Sequence, residues 1–219
     1  MKRRCGAWMP ALVASMFTMA AEAAPADLFF SEYVEGSSNN KALEIYNGTA
    51  APIDLSVGQY KVQIYVNGAS TGQTAINLSG TIAAGATFVI ANNSASTAVT
   101  SVANQLSSSL TYNGNDAVVL LKGGATKVDV IGQIGFDPGA AGWGVDPTNT
   151  TDNTIRRKST VCAGDPDGTN VFDPAIEWDG FAVDTFSGLG SHTTNCSPTN
   201  PSVTGTASPN SVLPGGTTH

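Results

Sequence analysis

Short apolar runs separated by turn residues recur along most of the chain. They read "DLFFSEYV", "KALEIYN", "YKVQIYVNG", "TAINLSG", "ATFVIAN", "DAVVLLKGG", "KVDVIGQIG" and "IEWDGFAVDTF". Short β-branched and aromatic runs at regular spacing predict an all-β sandwich or barrel rather than alternating strands and helices. Asn67-Gly68 and Gly123-Gly124 are pairs that favour hairpin turns. Only "SASTAVTSVANQLSSSL" is compatible with a short helix, with a loop as the alternative.

The stretch "SEYVEGSSNNKALEIYNGT" places three glutamates among aromatic and aliphatic residues, two of them inside such runs. Strand alternation predicts that Glu32 shares a face with Leu28, Phe30 and Val34, and that Glu44 shares a face with Ala42 and Tyr46, opposite Leu43 and Ile45. An unpaired buried carboxylate costs several kcal/mol, so each glutamate needs a partner.

Three roles are open for these glutamates. The favoured one is structural, with hydrogen bonds that tie down the "EGSSNNK" loop. The second is a calcium-type cation held by Glu32, Glu35, Glu44 and loop carbonyls. The third is the carboxylate pair of a glycosidase, which is disfavoured because no aromatic sugar platform is evident beside them.

The first 23 residues have the features of a signal peptide. The basic head "MKRRC" precedes the apolar run "GAWMPALVASMFTMA", and the small residues Ala21–Ala23 suit cleavage after Ala23. The run is shorter than the roughly 20 residues that a membrane-spanning helix needs. The sequence therefore predicts a secreted or cell-surface protein without a membrane span, with an uncleaved anchor as the alternative.

Loss of this leader would make the chain more acidic. The leader carries three basic residues and one acidic residue, so 7 basic and 16 acidic residues remain and the net charge changes from −7 to −9. A general nucleic-acid binder needs a positive surface that displaces phosphate counterions, and a chain of this net charge without a basic block lacks one.

The one basic cluster is Arg156, Arg157 and Lys158. We expect one arginine to pair with a carboxylate and the other to face solvent, with nucleic-acid contact as a minor alternative.

Two cysteines remain once Cys5 has left with the leader. Cys162 and Cys196 are an even pair in an oxidising compartment, which predicts a disulfide. Such a bridge would stabilise the fold by roughly 4 kcal/mol in the chain-entropy model. Two free thiols, or a metal site with His192, are alternatives that need more ligands than the sequence offers.

Taken in order, a series of blocks resembles the bacterial lamin tail domain. The blocks are "LFFSEYVEGSSNNKALEIYNGT", "IDLSVGQYKVQIYVNG", "LSGTIAAGATFVIAN", "NGNDAVVLLK", "VDVIGQIGFDPG", "TTDNTIRRK" and "EWDGFAVDTFSGLGSH". The resemblance runs from about Asp27 to His192. More narrowly, it is similar to the copy near the N-terminus of secreted nucleases of the endonuclease/exonuclease/phosphatase type. It implies an immunoglobulin-like β-sandwich, a non-catalytic module usually attached to another domain.

We therefore expect three parts in the chain. Residues 1–23 are the leader and residues 24–197 the lamin-tail-like sandwich. Residues 198–219, rich in Pro, Ser, Thr and Gly, are a linker or the truncated start of a further β-domain. The expected partners are a C-terminal catalytic domain or an extracellular polymer. A free-standing surface or matrix protein is the alternative.

A metal-dependent nuclease centre needs carboxylates around a cation and a histidine with an acidic partner. The chain has two histidines, His192 and His219, and it has no Gly-x-Ser-x-Gly elbow, Walker loop or His-Glu-x-x-His motif. We assign no catalytic residue and expect a binding or positioning module. The alternative is an extracellular DNA endonuclease whose catalytic domain is not in this chain.

One loop, "CAGDPDGTNVFD", gathers hard oxygen ligands. They come from Asp165, Asp167, Asn170 and Asp173, and calcium is the candidate ion. The spacing departs from the EF-hand, because position twelve counted from Asp165 is Ile176. Asp-Pro and Asp-Gly are also ordinary turn pairs, so an ion-free turn is favoured and no cofactor is certain.

Overall fold

The computed structural model describes residues 25–196. The predicted leader, Cys5, the predicted linker at 198–219 and His219 lie outside the described residues. The strands, in chain order, are β1 (Phe29–Glu35), β2 (Lys41–Tyr46), β3 (Ile53–Asp54), β4 (Lys61–Tyr65), β5 (Thr74–Asn77), β6 (Thr81–Ile82), β7 (Thr87–Ala91), β8 (Gln105–Leu106), β9 (Ala117–Lys122), β10 (Thr126–Ile131), β11 (Gly144–Val145), β12 (Thr148–Asn149), β13 (Asn153–Arg157) and β14 (Trp178–Ala182). Helical structure is limited to α1 (Thr97–Thr100), α2 (Pro174–Glu177) and a 3₁₀ turn at Val66–Gly68.

Two sheets contain most of these strands. The larger sheet has six strands in the order β14-β13-β1-β2-β7-β8, and the smaller has four in the order β10-β9-β4-β5. All neighbours within them are antiparallel except β7 and β8. Two short ribbons pair β3 with β6 and β11 with β12.

The two sheets face each other across an apolar core. Its members come from both sheets and include Phe30, Leu43, Ile45, Val62, Val118 and Leu120. Full burial of such side chains stabilises a fold by about 1.5–3 kcal/mol each relative to exposure. This arrangement confirms the predicted immunoglobulin-like β-sandwich.

The alternation predicted for β2 is correct, but that predicted for β1 is wrong beyond Phe30. The pairing of β1 with β2 has an irregularity between Phe30 and Glu32. A bulge adds one residue and so reverses the alternation that follows it. Tyr33 therefore joins Phe30 in the core, and Glu32 lies with Val34 on the outer face of the larger sheet.

The turns and the helix near residue 97 follow the sequence expectations. Gly123 and Gly124 have positive φ angles of 58° and 73° between β9 and β10, and Asn67 and Gly68 have φ of 50° and 73° between β4 and β5. Backbone of this kind suits glycine and asparagine. The short helix alternative is confirmed by α1, which supplies Val99 to the outer face of the larger sheet.

Candidate functional site

Residues 184–192, here called the strap, cover part of the outer face of the larger sheet. At its start, the Asp184 carboxylate accepts hydrogen bonds from the Ser37 backbone N–H (2.9 Å), the Ser37 hydroxyl (2.6 Å) and the Asn40 amide (3.0 Å). In its middle, Leu189 packs in a buried apolar cluster with Val34, Ala42, Val89, Ala91 and Val99. The strap is thus held by hydrogen bonds and by apolar burial.

A disulfide fastens the chain just after the strap. Cys162 and Cys196 are bonded, with their Cα atoms 5.7 Å apart and a sequence separation of 34, which confirms the predicted bridge. Beside it, the Asn195 backbone N–H donates to the Ser159 carbonyl at 2.8 Å. The strap therefore lies between the Asp184 contacts and a covalent anchor.

Two of the candidate glutamates lie beneath the strap. Glu32 of β1 and Glu44 of β2 are opposite each other in the strand register, and each is only 1 % exposed. Glu44 accepts hydrogen bonds from the Ser31 hydroxyl (2.7 Å) and from the Gly190 backbone N–H (2.6 Å). The two acids form a buried carboxyl pair that the strap touches directly.

Arg156 supplies the positive charge next to Glu32. Its Nε lies 3.1 Å from Glu32 Oε2. The N–H is not aligned for a hydrogen bond, and Glu32 Oε1 also has no hydrogen-bond partner. The strap passes over this pair at Gly188, where a Cβ atom would lie 2.1 Å from Glu32 Oε2 and 2.2 Å from Arg156 Nε. Only glycine fits this position without displacing its neighbours.

Burial changes the protonation preference of both acids. Loss of hydration raises the pKa of Glu32 from 4.5 to about 7, an effect that Arg156 opposes and Glu44 reinforces. Loss of hydration also raises the pKa of Glu44, against hydrogen bonds from Ser31 and Gly190. The pair therefore favours keeping a proton up to near-neutral pH.

His192 ends the strap as a packing residue. Its half-buried ring lies edge-on to Phe29 and Tyr46, with centroids 6.0 and 5.0 Å away. Burial, and then the charge of Arg157, lowers the pKa of His192 from 6.5 to about 4. Within residues 25–196, no carboxylate forms an ion pair with this imidazole.

Glu35, the third candidate glutamate, lies apart from the other two. Its carboxylate forms a buried ion pair with Lys41, whose ammonium also donates to the Gly36 carbonyl at 2.8 Å, and it accepts the backbone N–H of Asp152. These contacts close the hairpin loop at 36–40. The described residues contain no group of three or more His, Cys, Asp or Glu side chains that could hold a metal ion. Calcium at Glu32, Glu35 and Glu44 stays a prediction that these contacts do not support.

A polar hollow of about 400 Å³ next to Glu35 was not evident from the sequence. Asp137 and Asp152, from two separate loops, line it together with Asn113, Asn115 and Thr151. The Asn115 amide donates to Asp137 Oδ1 at 3.1 Å, which joins the loop before β9 to the loop that carries Asp137. A second hollow of about 540 Å³ on the smaller sheet has no acidic or histidine side chain in its lining.

The two arginines of the basic cluster point to opposite faces of β13, as expected for a strand. Neither of them faces only solvent. Arg157 is buried, and its guanidinium donates to Asp129, to Glu177 and to the Phe30 carbonyl (3.0 Å). Arg156 lies on the other face, with its guanidinium 4.2 Å from the centroid of the Phe181 ring. Lys158 donates to the carbonyls of Ala175 and Ile176. Nucleic-acid contact stays a prediction, and Arg157 could take part only after leaving its ion pairs.

The candidate ion loop is closed by its own hydrogen bonds. Asp165 accepts the Asn170 amide (2.8 Å) and the Asp167 N–H (2.8 Å). Asp167 accepts the N–H and hydroxyl of Thr169 (3.0 and 2.7 Å). Asp173 caps α2 by accepting the Ala175 N–H at 3.0 Å. These are Asx-turn and capping contacts, and calcium binding here also stays a prediction.

The sequence interpretation missed Asp129, which is the acceptor at the centre of the buried network. It accepts the backbone N–H of Phe30 at 2.7 Å and that of Asp165 at 2.8 Å, besides its ion pair with Arg157. A signal was present, because "KVDVI" places an acid inside an apolar strand. The argument that required partners for Glu32 applies equally to Asp129.

The comparisons with known proteins give a family match. No helix within residues 25–196 is long and apolar enough to cross a membrane. No curated protein and no solved structure is significantly similar to the chain. The family model described as Lamin Tail Domain matches residues 21–135, more than half of the 219 residues. On this match, and with the β-sandwich described above, the chain belongs to the lamin tail domain family.

Proposed function

We propose that this lamin tail domain is an exported binding and positioning module without catalysis of its own, forming the N-terminal part of a secreted nuclease-type protein. One observation carries the proposal: most of the buried charged side chains are paired with an opposite charge. Arg157 contacts Asp129 and Glu177, and Glu35 contacts Lys41. Because loss of one partner of such a pair would leave a buried unpaired charge, these groups serve the fold and few are left free to act on a substrate.

Family membership supports the module part of the proposal. A lamin tail domain is a β-sandwich that binds or provides structure. Function cannot be taken from a fold alone, so the nuclease context rests on the ordered blocks from Asp27 to His192 that resemble the copy in secreted nucleases. In that context the domain would hold a catalytic domain near its substrate or near a surface.

Two features support export. The basic and apolar segments of residues 1–23 read as a cleavable leader, and the Cys162–Cys196 disulfide is of the kind that persists in oxidising compartments. Expression of the full chain in a secreting bacterial host tests this part. We expect the exported protein to start at Ala24. Retention of Met1 in a cytoplasmic fraction would contradict export.

Two other functions are alternatives to this proposal. An extracellular DNA endonuclease would carry its metal-dependent centre in residues that follow His219 in the native protein. A surface or matrix protein would carry out its role with the sandwich alone. The reading frame after codon 219 in the source DNA separates them: acidic and histidine-containing metal motifs favour the nuclease, and a stop codon favours the matrix protein.

A deletion tests the positioning role if the frame continues into a catalytic domain. We expect removal of residues 24–197 from the whole protein to leave the turnover number on short DNA within about twofold. Capture of long DNA or of the cell surface should fall by at least about tenfold, because the tethered module raises the local concentration of substrate. Loss of turnover on short DNA in a folded deletion protein would contradict the proposal.

A further inference from the structure

Closure of the strap buries two kinds of ionisable group, and burial acts on them in opposite directions. Beneath its middle, the carboxyl pair Glu32 and Glu44 has lost its hydration, which favours the protonated form. At its end, the His192 imidazole packs against Phe29 and Tyr46, which favours the neutral form. The closed strap therefore favours the protonated form of the carboxyl pair and the neutral form of His192.

We propose that the strap is a pH-compensated cover of the outer face of the larger sheet. Opening would hydrate the carboxyl pair, which then releases its proton, and would hydrate His192, which then takes one up. Rising pH favours opening through the glutamates, and falling pH favours opening through His192. Together, the two sites keep the closing equilibrium nearly constant over a range of pH in which either site alone would weaken closure.

The direction of each effect follows from proton linkage. The pKa of Glu32 is raised from 4.5 to about 7, so its contribution to closure is complete below 4.5 and is lost as the pH rises to about 7. The pKa of His192 is lowered from 6.5 to about 4, so its contribution is complete above 6.5 and is lost as the pH falls to about 4. The contribution of Glu32 changes between pH 4.5 and about 7, and that of His192 between about 4 and 6.5. Because these pH ranges overlap almost entirely, the two contributions offset each other within them.

The charged groups that face these sites come from the strands below the strap and from its start. Arg156 of β13 faces Glu32, and Asp179 of β14 is opposite Arg156 in the strand register. Arg157 of β13 faces His192 across Phe29, 5.7 Å from that ring. Asp184 is engaged with Ser37 and Asn40, away from the carboxyl pair.

Opening of this cover would be local and reversible. The Cys162–Cys196 disulfide anchors the chain four residues beyond the strap, so a released strap stays tethered beside the sheet. Its displacement would uncover the apolar cluster that Leu189 now closes, with Val34, Val89 and Val99. The Gly190 N–H, which donates to Glu44, is a direct reporter of closure.

Hydrogen exchange of the strap amides tests the proposal in the full disulfide-bonded chain. The readout is the protection factor of Gly190 at pH 5 and pH 8, corrected for the intrinsic exchange rate. In the unsubstituted protein we expect it to change by less than about fivefold. In His192→Phe, which keeps the ring packing, it should be more than about tenfold lower at pH 8 than at pH 5, since each displaced pKa unit changes the opening constant tenfold.

The reverse profile is expected when the acid is neutralised. In Glu32→Gln, protection should be lower at pH 5 than at pH 8 by several-fold, and the double variant should be nearly independent of pH. Asp179→Asn is the matched control, because it removes an exposed carboxylate next to Arg156 outside the strap, and it should retain the flat profile. A flat profile in both single variants would overturn the proposal.

A measurement on the unsubstituted protein covers the case in which a variant fails to fold. Carboxyl and imidazole chemical shifts followed by NMR from pH 3 to pH 9 give the two midpoints directly. We expect midpoints near 7 for Glu32 and near 4 for His192. Midpoints at the values of exposed side chains would overturn the proposal without any substitution.

Discussion

Arg157 and Asp129 form a buried ion pair that joins the two sheets of the sandwich, since Arg157 belongs to β13 of the larger sheet and Asp129 to β10 of the smaller. Their side chains are 1 % and 0 % exposed. The Arg157 guanidinium also lies 4.2 Å from the centroid of the Trp178 ring. Neither charge has access to water, so each depends on the other.

Removal of Arg157 should therefore destabilise the fold strongly. We expect Arg157→Ala to lower the free energy of unfolding by about 3–5 kcal/mol, because it leaves Asp129 charged and unpaired in the interior. Urea denaturation at pH 7 measures the loss. Lys158→Ala is the control, since its ammonium contacts backbone carbonyls at the surface, and it should cost less than about 1 kcal/mol. Equal losses for the two variants would contradict the structural role of the pair.

The disulfide should contribute a separate, additive part of the stability. The double variant Cys162→Ser/Cys196→Ser is expected to lose about 2–4 kcal/mol, because the open chain gains conformational entropy when it unfolds. Thermal unfolding with and without a thiol reductant measures this contribution. Reductant should lower the melting temperature of the unsubstituted protein and leave that of the double variant unchanged. An unchanged melting temperature in both would count against the predicted contribution.

A side chain at Gly188 should destabilise the closed strap, because Glu32 and Arg156 would have to move aside. Gly188→Ala places a methyl group against Glu32 and Arg156 and is expected to cost about 1–3 kcal/mol as an overpacked site. Ser187→Ala is the matched control on the same strap. Ser187 is exposed and accepts one long hydrogen bond from Arg156 at 3.3 Å. Its loss should stay within about 0.5 kcal/mol. A neutral Gly188→Ala would contradict tight packing of the strap against the ion pair.

Calcium should have little effect on stability. The carboxylates of the 165–173 loop and those of Glu35 and Glu44 already accept hydrogen bonds or ion pairs from the protein. Addition of 1 mM Ca²⁺ after removal of metals by chelation is expected to leave the melting temperature unchanged, since a ligand stabilises only the state that binds it. A rise that Asp165→Asn or Glu32→Gln abolishes would identify a cation site.

The fold was largely predictable from the sequence because its strands are short, regularly spaced and bounded by turn residues. "KALEIYN" became β2 with Leu43 and Ile45 in the core, as alternation requires. In β1 the same rule failed, because a bulge after Phe30 is a pairing feature between two strands and leaves no local signal.

The candidate site was less predictable, since its geometry depends on long-range contacts. That Glu32 and Glu44 need partners followed from the cost of burying charge. That one partner is Gly190, almost 150 residues from Glu44, depends on how the strap crosses the sheet. Asp137 and Asp152 line one hollow for the same reason, because strands that connect different parts of the sequence bring their two loops together.

The central claim is that the ionisable residues of this chain serve its fold and carry out no reaction. Its most direct test is DNA cleavage by the purified, disulfide-bonded chain with Mg²⁺, followed over hours on plasmid DNA. We predict a rate equal to that of buffer alone. Magnesium-dependent cleavage that Glu32→Gln or His192→Phe abolishes in a folded variant would contradict the claim.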